Sequence, residues 1–84
     1  MILPRESFVH RGLDLDWVED AIQNHEHVQN SWLRWKSEFF YQQQLKKDGF
    51  STLVRMQNRA RLEAAFDDLV RILRAEQSRE TVGV

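Results

Sequence analysis

Residues 16–47, DWVEDAIQNHEHVQNSWLRWKSEFFYQQQLKK, contain neither glycine nor proline and repeat their apolar side chains at helical spacing. Val18, His25, Trp32 and Phe39 stand seven apart, and Ala21, Val28, Trp35 and Gln42 follow them by three. A strand would send such a series alternately to two faces, whereas a helix gathers it on one, so the stretch predicts an amphipathic α-helix. Unbroken, it would be about 48 Å long at the usual rise per residue.

Both ends of this helix are signalled. Asp14, Asp16, Glu19 and Asp20 crowd its start, where the helix dipole favours negative charge. Two caps are open there: Asp16 with Glu19 at capping-box spacing, or Asp14 with Leu13 and Val18 as a hydrophobic staple. The stop is Lys46, Lys47, Asp48, Gly49, two cations in the last turn followed by a residue free to take a left-handed conformation. Ser31 offers an interior alternative, a break at Asn30–Ser31 that would give a three-helix bundle. The apolar register passes that point unshifted, which favours the continuous helix.

Working outward, a second helix begins after Phe50 with Ser51 or Thr52 as cap and runs to about Gln77. Leu62, Phe66, Leu69 and Leu73 form its row, with Ala65, Val70 and Ile72 beside it. Met1 to Leu13 has no helical period and carries Pro4 and Gly12, so it predicts an extended arm whose Ile2, Leu3, Phe8 and Val9 fold back over the helix ends. The organisation expected is an arm over 1–13, a helical domain over 14–78 and a flexible tail over 79–84.

Two long helices joined by a short turn make an antiparallel hairpin, so the fold class predicted is all-α. A chain of 84 residues with nine aromatics has little interior in which to hide them. Ile22, Leu33, Phe40 and Leu45 widen the apolar face of the first helix beyond what one neighbour covers. The economical answer is two hairpins packed as a four-helix bundle. Its dimer seam would hold Val18, His25, Val28, Trp32, Trp35 and Phe39 against Leu62, Phe66, Leu69 and Leu73.

Composition narrows function by exclusion. With no cysteine there is no disulfide framework and no thiolate metal site. No apolar run approaches the roughly 20 residues of a membrane span, and Met1 to Pro4 is too short for a signal-peptide core, so a cytoplasmic protein is expected. The three glycines stand apart and form no phosphate loop, and no Ser or Lys nucleophile has a recognisable base, so no catalytic residue and no cofactor is assigned. His25 and His27, two apart, would point to different sides of a helix, and no metal site is expected. His25 in the apolar row reads as a core histidine with a hydrogen-bond partner.

Charge is informative only when mapped. Residues 1–31 hold two arginines against six acids, residues 32–61 seven cations against two acids, and residues 62–84 three arginines against five acids. In a hairpin the middle third is the turn end, so the molecule should be basic there and acidic at its termini. Lys46, Lys47, Arg55 and Arg59 collect at that turn, next to Gln42, Gln43 and Gln44.

These residues predict a small non-catalytic protein–protein interaction module, a regulator, inhibitor or assembly adaptor that homodimerises. Its partner-binding surface would combine Arg34, Phe40 and Tyr41 with the basic residues Lys46, Lys47, Arg55 and Arg59. The alternative is a nucleic-acid-binding regulator using the basic turn, weakened by a net charge of -1 and by the lack of helix-turn-helix spacing.

Overall fold

The structure, a computed structural model, describes residues 3–49 and 51–82, the side chains of 80–82 excepted. Expectations placed on Ile2, Phe50, Gly83 and Val84 lie outside the described residues. Four helices follow in order: α1 (Arg5–His10), α2 (Leu15–Asn24), α3 (Glu26–Lys47) and α4 (Thr52–Val82). No strand occurs among the described residues. The molecule is an elongated all-α body of 51 × 19 × 19 Å, built on the antiparallel pair α3 and α4.

The first departure from expectation is α1, which replaces the extended arm. It ends in a turn that the sequence encodes: Gly12 takes φ +76, Gly12 N–H donates to Val9 O, and Leu13 N–H donates to Phe8 O. That bond pattern is a Schellman motif, and it sets Leu13 against Phe8, both buried. An Arg-Gly-Leu run three residues after Phe8 was the available signal.

Next, Asp14 is the cap of α2, its Oδ1 accepting from Asp16 N–H at 3.0 Å. Leu13 and Val18, the staple pair that goes with this choice, are both buried.

The second departure is the break in the long helix. It falls at His25, whose backbone is extended at φ -117, ψ 115, and not at Asn30–Ser31, which are interior to α3. His25 N–H still donates to Ala21 O while His25 O accepts from Gln29 N–H, so one residue closes α2 and opens α3. Asn24 prepares the exit: its Nδ2 donates to the backbone O and to the carboxylate of Asp20, local bonds of the kind that compete with helix propagation. Apolar spacing is kept across the break, which is why periodicity did not flag it.

At the far end, α3 stops where expected, with Gly49 at φ +74. Ser51 Oγ accepts from Val54 N–H at 3.4 Å as α4 begins. Helix α4 continues to Val82, past the expected end near Gln77. No glycine or proline interrupts it before Gly83, and an Arg79–Glu76 pair one turn apart supports its last turns.

The break at His25 lets α1 and α2 fold over one face of the hairpin's open end. Phe8 meets Phe66 with ring centroids 5.2 Å apart. Arg11 pairs with Asp67, and Arg74 donates to Arg11 O at 2.6 Å. Phe8, Leu13, Val18, Ala21 and Ile22 thereby share one buried cluster with Val28, Trp32, Trp35, Ala65, Leu69, Val70 and Leu73. Phe39, Leu62 and Phe66 pack on its edge, and Trp32 and Trp35 are only 8% and 4% exposed. Of the seam residues, Val18, Val28, Trp32, Trp35, Leu69 and Leu73 are thus buried within a single chain, while His25, Phe39, Leu62 and Phe66 are partly covered. The premise that a second copy must shelter the tryptophans is overturned, because the N-terminal segment supplies the third layer.

Candidate functional site

Three regions gather chemistry-bearing residues at the edges of this core. The first is an aromatic groove between α1 and the hairpin. Trp35 and Phe39 stack at 5.3 Å, one turn apart on α3, and Phe40 meets Phe39 edge-on at 5.9 Å. Trp35, Phe39, Leu62 and Phe66 floor a recess of about 450 Å³ whose other wall is the Pro4, Ser7, His10 and Arg11 edge of α1 and its turn. Glu63 and Asp67 complete its rim. Arg11 lies over the Phe66 ring at 5.6 Å while pairing with Asp67 at 2.6 Å, so the rim charge is held in place and largely balanced. Lys36 Nζ sits 4.9 Å from the Trp32 ring and 5.9 Å from that of Phe40, leaving Phe40 48% exposed beside the groove.

Of the residues expected on a partner surface, only Phe40 adjoins this groove. Arg34 pairs with Asp68 at 3.2 Å. Tyr41 lines a separate recess of about 330 Å³ with Ser37, Glu38 and Arg61, where Arg61 pairs with Glu38 at 3.3 Å. Consecutive helical positions are turned about 100° from one another, and here that separation divides Phe40 from Tyr41. Arg34 and Tyr41 therefore share a polar flank distinct from the aromatic one.

The second region is the turn end. Lys46 from α3 and Arg55 and Arg59 from α4 come together with Gln42, Thr52 and Met56 around a cup of about 300 Å³. Three of the four expected basic residues thus converge, and Lys47 is not among the residues lining the cup. Behind it, Asn58 Nδ2 donates to Gln42 Oε1 at 2.9 Å, a polar pair set into the seam where periodicity placed Gln42. A part-buried pair of this kind favours one register of the two helices, because a slipped pairing would leave the buried Asn58 Nδ2 unmet.

A third cluster corrects a sequence reading. His25 and His27 converge instead of diverging, with ring centroids 6.0 Å apart. His27 Nε2 lies 2.5 Å from Glu76 Oε1 and His25 Nδ1 3.7 Å from Glu76 Oε2, while Arg79 reaches the same carboxylate at 3.1 Å. The extended backbone at His25 resets the helical phase between the two imidazoles, which a rule for unbroken helices could not anticipate. Glu76, only 5% exposed, is the residue that sequence reasoning missed. Burying a carboxylate is tolerable when it is surrounded by donors, as it is here.

Among the described residues no group of three His, Cys, Asp or Glu is placed to hold a metal ion, and no helix is long and apolar enough to cross a membrane. Comparison with protein families, with curated proteins and with solved structures finds no match to this chain.

Proposed function

We propose that the protein is a non-catalytic interaction module that docks a helical segment of a partner protein in the groove between α1 and the hairpin. One observation carries this reading: Trp35 and Phe39 stack along an apolar recess with a charged rim, and Phe40, 48% exposed, meets Phe39 edge-on beside it. Large aromatic anchors surrounded by polar rims dominate the energetics of protein interfaces. Rings already fixed by stacking lose little conformational freedom when a partner seats on them.

The test is a paired pull-down from native extract with the wild-type chain and with Phe39→Ala/Phe40→Ala as baits. A partner retained by the wild type and lost from the variant supports docking at this groove. Recovery of no partner, or equal recovery by both baits, removes it.

Self-association is a second reading, favoured by Leu33 and Phe40, which lie two turns apart on one face of α3 and are 44% and 48% exposed. Two copies joined through that outer row would form a helical bundle distinct from the tryptophan seam. Light scattering at micromolar concentration decides the matter: twice the chain mass is expected, and a strictly monomeric mass discards the pairing.

A further inference from the structure

We propose that the cup at the hairpin turn is a binding site for a small phosphate-bearing anion, held by Arg55, Arg59 and Lys46 with Gln42 as an additional donor. The cup is lined by three cations and no carboxylate. Lys46 and Arg55 form no ion pair among the described residues, and Arg59 makes only a solvent-exposed pair with Glu63 at 3.6 Å.

Two further features point to an oxyanion. Arg55 lines the cup, and its Nε is shielded from solvent with no hydrogen-bond partner among the described residues. Such groups are costly inside proteins, and a turn of the Arg55 side chain toward an oxyanion in the cup would give this donor an acceptor. Thr52, the first residue of the 31-residue α4, also lines the cup, and that helix carries no acid in its first turn. The positive end of its dipole is therefore not offset by a side chain of that turn and adds to the field of the three cations. Guanidinium forks match the paired oxygens of phosphate better than ammonium groups do, which makes the two arginines the principal contacts.

The shape argues for a small ligand. A polynucleotide requires cations strung along a track, whereas these are concentrated in one recess of about 300 Å³. Met56, 63% exposed at its edge, offers an apolar contact for an organic group attached to the phosphate.

The cup and the aromatic groove have no lining residue in common, although Arg59 pairs with Glu63 of the groove's rim, and failure of the one reading leaves the other standing. Titration of the full chain with inorganic pyrophosphate, followed by calorimetry in low-salt, phosphate-free buffer, is the test. Saturable binding is expected, weakened about tenfold or more in Lys46→Gln/Arg55→Gln, the loss anticipated for charge-assisted contacts. Arg5→Gln/Arg71→Gln, which removes the same charge from distant surface positions, is expected to bind as the wild type does. If the first variant melts below the assay temperature, Arg59→Gln, at an exposed position, serves the same comparison. Absence of saturable binding, equal weakening in both double variants, or binding of a short oligothymidylate but not of pyrophosphate would each overturn the proposal.

Discussion

Trp35→Ala is expected to lower the free energy of unfolding by about 3–5 kcal/mol, read as a fall in the urea midpoint at unchanged slope. That is a large share of the roughly 4–13 kcal/mol expected for a domain of 84 residues. The indole is 4% exposed, stacks on Phe39 at 5.3 Å, and belongs to the cluster shared by all three layers. Removing it deletes the transfer energy of the ring and leaves a cavity that long, stiff helices can close only in part. Phe40→Ala is the matched control, since that ring is 48% exposed, and its effect on stability should stay within about 0.5 kcal/mol. Because the chain covers Trp35 by itself, the full loss is expected at concentrations too low for two copies to meet. A loss below about 1 kcal/mol, or one that appears only as concentration rises, would place the ring in an interface between copies.

The second large effect is expected at Phe8. This ring is fully buried and lies 5.2 Å from Phe66, so it ties α1 to the hairpin. Phe8→Ala is expected to cost about 3–5 kcal/mol, although it removes a side chain from a helix of only six residues. Val9→Ala, next in sequence but 59% exposed, should change stability by less than about 0.5 kcal/mol. Loosening α1 also uncovers the recess floored by Trp35 and Phe66, so tryptophan emission should shift to the red in Phe8→Ala before global unfolding. Wild-type stability and emission in that variant would mean that α1 does not hold the core closed.

The same residues show why the candidate sites were only partly legible beforehand. The basic cup was readable because a hairpin turn brings neighbouring segments together by necessity, so Lys46 meets Arg55 and Arg59 as soon as the turn is placed. The groove was not, because half of it belongs to α1, whose docking depends on contacts between residues as distant in sequence as Arg11 and Asp67. Glu76 drew no attention for a related reason. A single acid on a helix has no pattern, and it acquires meaning only when two histidines some fifty positions earlier arrive beside it.

By itself the sequence determined the local choices: helical periodicity, the stop at Gly49, a cap at Ser51 or Thr52 and the row of side chains turned inward. These follow from interactions within a few residues, where backbone propensity and spacing are decisive. Only the tertiary structure decided that the long helix breaks at His25 and that α1 and α2 turn back over the tryptophans. A break that preserves apolar spacing leaves no periodic trace, and its benefit is the burial of Phe8, Val18 and Ile22 against residues of α3 and α4. Coverage of the seam is a property of the packed chain as a whole, and for that reason the chain could shelter alone what its helix pattern appeared to require a second copy to cover.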